Sequence, residues 1–245
     1  MAEKVMTGKR LAEAARNAAG NYRTLYVAGC FGAPMTQANK KRYTQNHDYN
    51  RAADRTRLIN AAAPDTFGFD CVCLVKGLLW GWTGDASKEY GGAAYASNGV
   101  PDIGEDQMIA MCNRVSTDFS GIEAGEAVWL PGHIGIYIGD GLAVECTPAW
   151  KNGVQVTAVG SLGAKAGYNT RTWAKHGKLP WVDYSAKEDD DMAIYRDLKD
   201  VPDYYRAAVK KAMDKGALKG DGGGLNVSED LCRTLTVLDR LGKLD

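Results

Sequence analysis

Three side chains carry the chemistry this sequence can offer: a cysteine, a histidine and a carboxylate. Cys71 lies in PDTFGFDCVCLVKGLLWGW, Pro64–Trp82, where a turn-rich loop meets an apolar run. Asp70, directly before it, is a strong helix N-cap type, so the spacing predicts a buried helix whose first turn begins at Cys71. Unpaired backbone N–H groups and the positive end of the helix dipole gather there and favour an anion, which makes the position thiolate-stabilising. Cys73 falls about 200° further round the helix, between Val72 and Leu74, and reads as packing. On residue type alone an inert core thiol competes with a nucleophile at Cys71. Metal ligation by the Cys-x-Cys pair lacks the second cysteine pair that such sites use, so no metal and no cofactor is expected.

The histidine comes from a predicted β-hairpin, GHIGIYIGDGLAVECT. A two-residue loop at Asp140-Gly141 would set Ile136 opposite Glu145 and mix apolar with polar faces. A three-residue loop, Gly139 to Gly141, instead pairs Ile138 with Leu142, Ile136 with Val144 and Ile134 with Cys146 on one apolar face. Tyr137, Gly135, His133 and Glu145 then share the other face. There His133 and Glu145 are diagonal neighbours, roughly 7 Å apart at their backbones, close enough for the carboxylate to hold the imidazole. Gly135 is expected to leave room for a helix. Thiol, imidazole base and orienting carboxylate are the parts of a thiol acyl-transfer site, with the Cys71 backbone N–H as an oxyanion donor. His47 and His176, in charged stretches, are expected on the surface.

The elements that must position these groups read as an α+β domain, because strand-like and helix-like patches mix without regular alternation. An amphipathic N-terminal helix has Leu11, Ala14, Ala15, Ala18 and Ala19 at helical spacing, ending at Gly20 as C-cap. It is not a targeting segment, so synthesis without a signal peptide in a reducing cytoplasm is expected, with action elsewhere after release. TQANKKRYTQNHDYNRAADRTR is a solvated helix or an excursion beside a site. GEDQMIAMCNRV is a helix by the spacing of Met108, Met111 and Cys112. EAVWL, HIGIYIG, LAVECT and GVQVTAV are four strands. Residues 183–192 read as an acidic linker. Beyond it, Tyr205, Ala208, Val209, Ala212 and Met213 form one helical stripe, and Leu231, Leu235 and Leu238 form a second after Ser228 as N-cap. The glycine run between them reads as a turn.

Composition excludes several classes. The 245 residues hold 30 basic and 30 acidic side chains, so bulk charge recommends neither nucleic acid nor an anionic membrane. No window approaches the roughly 20 apolar residues of a membrane span. The six cysteines are too scattered for a disulfide framework.

FDCVCLV resembles the Asp-Cys-Ser-Gly-Leu-Val box of the NlpC-type (NlpC and p-sixty) cell-wall cysteine peptidases, and GHIGIYIGDG resembles their histidine strand. LYVAGCFG is similar to their upstream Tyr-x-x-Gly-Gly element. The boxes keep the family's order over residues 26 to about 147. The resemblance implies a papain-like α+β fold over 1–182. It also implies cleavage of peptidoglycan stem peptides after γ-D-glutamate and before the diamino acid. Cys71 would be the nucleophile, His133 the base, Glu145 the third polar group and Tyr26 a site-lining residue aiding the oxyanion. Val72-Cys73 departs from Ser-Gly, Glu145 stands where many members have histidine, and the 36–63 insertion is longer than usual. Residues 193–245 resemble one S-layer homology repeat, which implies a small helical module binding a wall polymer or serving as a plain appendage. Together these imply a phage or prophage endolysin. A sugar–peptide amidase, an acyltransferase of the same fold and a catalytically silent wall-binding protein are the alternatives.

Overall fold

The computed structural model describes residues 4–185, 194–220 and 224–244. The chain divides into two compact units, 1–185 and 186–245, and most of the acidic linker, from residue 186 on, lies outside the described residues. The first unit is mixed α+β with a curled sheet.

Strand β1 (Met6–Thr7) leads into α1 (Gly8–Asn21), where the Thr7 hydroxyl accepts from the Arg10 amide as N-cap. Gly20 is not the C-cap that the sequence predicts. The helix continues through it to Asn21, and Leu11, Ala12, Ala15 and Ala18 form the buried stripe. Next come β2 (Thr24–Tyr26) and β3 (Phe31–Pro34). The basic stretch follows as α2 (Gln37–Asn46), α3 (Asp48–Arg51) and α4 (Ala53–Ala61). It is more than solvated helix: Tyr43 and Ile59 pack with Leu25, Val27 and Met35 in a core of their own. Strand β4 (Phe67–Phe69) lies between β2 and β3 and delivers the chain into α5 (Cys71–Leu79).

Every residue of α5 is buried. The helix lies so close to β3 that a Cβ at Gly77 would stand 2.8 Å from the Phe31 carbonyl oxygen. After α6 (Glu105–Met111) come β5 (Asn113–Ser116), β6 (Ala127–Leu130), β7 (His133–Gly139), β8 (Leu142–Thr147) and β9 (Gly153–Val159). Then follow β10 (Thr170–Arg171), β11 (Lys175–Lys178) and β12 (Val182–Asp183). Met108 of α6 is buried, but Met111 is exposed.

The seven-stranded sheet has the order β10-β9-β8-β7-β6-β11-β5. Helices α1 and α5 pack against β7 and β8, and Ile134, Ile136 and Ile138 share their core with Leu11 and Leu74. The opposite face holds a smaller cluster of Phe119, Val128, Tyr137, Ala143, Val159 and Trp173.

The central hairpin keeps the predicted register by another turn. Gly135 pairs Glu145, Ile136 pairs Val144 and Tyr137 pairs Ala143, but Gly139 rather than Ile138 pairs Leu142. Asp140 and Gly141 both have positive φ, as a two-residue type I′ turn requires. A register shift between Tyr137 and Gly139 absorbs the odd residue and restores the faces.

The second unit pairs β13 (Ile194–Tyr195) with β14 (Val227–Ser228) and packs α7 (Asp203–Asp214) against α8 (Glu229–Arg240). Ser228 accepts from the Leu231 amide as N-cap. The buried positions of α8 are Cys232 and Leu235, whereas Leu231 is exposed. On α7, Ala208, Val209 and Ala212 are buried and Met213 is not. Within the glycine turn, 221–223 lie outside the described residues.

Candidate active site

Asp70 organises the nucleophile end. One of its carboxylate oxygens accepts from the Cys73 amide at 2.7 Å and caps α5, and the other accepts from the Gly29 amide at 2.7 Å. The Asp70 amide donates to the Cys30 carbonyl, and the Val27 amide to that of Phe69. The chain after Tyr26 is thereby laid along the entry to α5. Asn50, fully buried, accepts from the Ala28 amide and donates to the Ala28 carbonyl, tying the same loop to α3. Arg55 of α4 donates to the Tyr26 carbonyl and, at 3.0 Å, to Asn152. The insertion therefore braces the backbone that carries Tyr26.

The Cys71 thiol stands at the first position of α5 with the backbone N–H groups of Ile134 and Val72 directed at its sulfur. The donors expected at a helix start are present, yet they do not yield a thiolate at rest. Burial, then the charges of Asp70 and Glu105, push the thiol up to about 12. Desolvation of the charged form outweighs a few partial charges. Cys73 is buried in the same core and is held well above its usual range, again chiefly by burial.

Glu145 is completely buried on β8. Its carboxylate accepts from His133 Nε2 at 2.7 Å, from the Thr157 hydroxyl at 2.7 Å and from Arg171 Nη2 at 2.6 Å. Burial alone would raise this carboxyl, but the bonds from His133 and Arg171 outweigh it and hold it below the usual carboxylate range. The imidazole is stacked on Trp173, with ring centroids 5.4 Å apart and planes 8° from parallel. With Nε2 on the carboxylate, Nδ1 has no hydrogen-bond partner among the described residues.

His133 does not face α5. Its side chain belongs with Trp173 on the opposite face of the sheet, and the space at Gly135 is taken by Trp173: a Cβ there would stand 3.2 Å from the indole ring. What links the two groups is the start of β7: Ile134, whose amide is directed toward the Cys71 sulfur, is the residue after His133. No hydrogen bond joins thiol and ring in this resting structure. Catalytic bonds of this kind often tighten only with substrate bound.

Tyr26 lies by the thiol: burial, then the charges of Cys71 and Asp70, raise its phenol far above the usual range, so it is a protonated donor. Its ring meets that of Tyr49 edge-on at 5.6 Å. The structure thus brings Tyr26, Asp70 and Cys71 together, and separately His133 and Glu145, with the Ile134 amide as the link.

His47 is exposed, as expected. His176 is not on the surface. It lies in β11, between β6 and β5, with 4% exposure, and is bonded to Glu126 and to the Asp118 carbonyl. Sequence reasoning missed Arg171, Thr157 and Trp173, which fix Glu145 and His133. Arg171 closes the two-residue β10 and Trp173 lies between β10 and β11, and nothing local in the sequence shows which carboxylate Arg171 meets.

Among the described residues no cluster of three or more His, Cys, Asp or Glu could hold a metal ion, and no helix is long and apolar enough to cross a membrane. Neither a known protein-family model nor a curated protein matches the chain. The family resemblance rests on the motifs.

Proposed function

We propose that the first unit is a thiol peptidase on a papain-like plan that hydrolyses the stem peptides of peptidoglycan. The observation that carries the reading is the Cys71 sulfur at the start of α5, met by the amide beside His133, whose ring Glu145 and Trp173 hold with Nδ1 unoccupied. A thiol held near a pKa of about 12 is deprotonated as it attacks, with Nδ1 taking the proton. The sulfur bonds to the carbonyl carbon. The C–N bond then breaks, and the imidazolium returns the proton to the leaving amine. Water, deprotonated by the same ring, hydrolyses the thioester and frees the thiol. Glu145 stays anionic and supports the imidazolium. The Cys71 amide and the Tyr26 hydroxyl are the donors at hand for the oxyanion.

The motif resemblance directs this chemistry to the bond after γ-D-glutamate, and the S-layer-like module of residues 193–245 to a wall polymer. Together they support the reading of the protein as an endolysin-type wall-degrading enzyme. Incubation of the full chain with purified peptidoglycan, followed by mass analysis of the fragments, tests the reading. A new amino terminus on the diamino acid, absent with Cys71→Ala, supports it. Release of whole stems from the sugar would make the protein an amidase, and intact wall in every sample would leave a silent binder.

A further inference from the structure

Glu145 holds His133, and Arg171 holds Glu145. The guanidinium of Arg171, at the end of β10, meets the carboxylate along one edge: Nη2 donates to Oε2 at 2.6 Å, and Nε donates across both oxygens at 3.1 Å. Such a two-pronged pair fixes the plane of a carboxylate as well as balancing its charge. Arg171 is itself enclosed. Its side chain is 22% exposed, and its guanidinium carbon lies 4.7 Å from the Trp150 ring centroid and 6.0 Å from that of Trp173. Trp150 has a φ of 53°, a left-handed value that an aromatic residue adopts only at a cost. A strained turn thus keeps an indole over this cation.

The charged groups facing Glu145 are His133 from β7 and Arg171 from β10, and β9 contributes the neutral Thr157 and Gln155. Across the sheet lie the thiols of Cys71 and Cys146 and the Asp70 carboxylate, the last bonded to the Gly29 and Cys73 amides. With Glu145 anionic and His133 neutral, Arg171 balances the buried charge. Without it, the same state would leave a carboxylate buried and unbalanced, and the Glu145–His133 pair would take up a proton to neutralise itself. That proton would occupy the imidazole which, on the proposed mechanism, accepts one from the thiol.

We propose that Arg171 is a positioning residue whose charge keeps the Glu145–His133 pair from taking up an extra proton at neutral pH, so that His133 Nδ1 is available as base. This rests on the peptidase reading above. It makes the charge of Arg171, and not only its hydrogen bonds, part of the site.

The test is the pH profile of kcat/KM for the full chain on a synthetic stem peptide, whose acidic limb reports the base of the free enzyme. Arg171→Gln keeps a donor for Glu145 and removes the charge. Its acidic limb should lie about 1–2 pH units above that of the wild type, the usual effect of one neighbouring charge. Below both limbs the rate should therefore fall by about ten- to a hundredfold, and it should recover as pH rises. Arg171→Lys restores the charge and should bring the limb to within about half a unit of the wild type. A loss equal at every pH, with the limb unmoved, would show a merely structural arginine and overturn the proposal while the peptidase stands. Should Arg171→Gln fail to fold, Arg171→Lys decides: a limb near that of the wild type keeps the proposal, and one displaced by about a unit or more overturns it, since the charge is still present. Should the wild type cut nothing, nitrogen NMR of the imidazole rings decides, with His133 assigned by its loss in His133→Gln. A ring titration moved up by about 1–2 units in Arg171→Gln keeps the charge balance while the peptidase reading falls, and an unmoved titration removes both.

Discussion

Two histidines in the seven-stranded sheet are each paired with a buried glutamate, and they differ in what is left over. His176 is enclosed: one ring nitrogen meets Glu126 and the other the Asp118 carbonyl. His133 has one nitrogen on Glu145, a ring face on Trp173 and a second nitrogen without a partner, at the strand start where an amide meets the Cys71 sulfur. A saturated imidazole can only hold strands together. One with a spare nitrogen is free to take up and release a proton. The contrast shows that a histidine–carboxylate pair by itself marks no site.

On the proposed function, substitutions should separate the pairs, and the largest effect belongs to the proposed nucleophile. Cys71→Ala should abolish peptide release from walls with little change in melting temperature; residual hydrolysis at the wild-type rate would place the nucleophile elsewhere. Next come the bases. His133→Gln should lower kcat by about 10² to 10⁴, the usual share of a general base, with modest loss of stability. His176→Gln should do the reverse, costing about 3 kcal/mol in denaturant unfolding because Glu126 loses its buried partner, while the folded fraction keeps its kcat. If the two variants exchange these signatures, the assignment of roles is inverted. Glu145→Gln should reduce kcat by at most about 10⁴, as an orienting group does. The Glu145 carboxyl is lowered in the folded protein, so its stabilisation is complete above the unfolded carboxylate value and fades as pH drops through the folded one. Stability of the wild type should therefore fall more steeply than that of Glu145→Gln below about pH 4.3. Gly135→Ala should cost about 1–3 kcal/mol by pressing on the Val144 carbonyl, 2.8 Å from the added Cβ, and on Trp173 at 3.2 Å, and should slow turnover by disturbing the Trp173–His133 stack. Cys73→Ala closes the series at about 1 kcal/mol with activity retained, the scale of one buried methyl-sized loss.

How much of this was legible in the sequence follows from which signals are local. The faces of the β7–β8 hairpin could be read because apolar and polar residues alternate there, and that alone paired Gly135 with Glu145. The loop itself was not legible, because a register shift between Tyr137 and Gly139 lets a short turn coexist with the favoured register. The start of α5 was legible from Asp70 and the apolar run behind it. His176 was not, because Lys175 and Lys178 beside it suggest water, whereas β11 is covered by strands on both edges. The polar stretch after residue 36 hid its buried members for the same reason. Asn50 and Arg55 serve as backbone ties, a use that composition does not reveal. In the tail, periodicity gave both helices and, in Ala208, Val209 and Ala212, the buried face of α7, but on α8 Cys232 takes the buried place expected of Leu231 beside Leu235.

The protonated resting state of Cys71 has a consequence for durability. Peroxide oxidises thiolates far faster than thiols, so a buried sulfur that keeps its proton at rest offers oxidants little to attack. On the proposed function, the reactivity of that sulfur would be withheld until a peptide and the imidazole meet it.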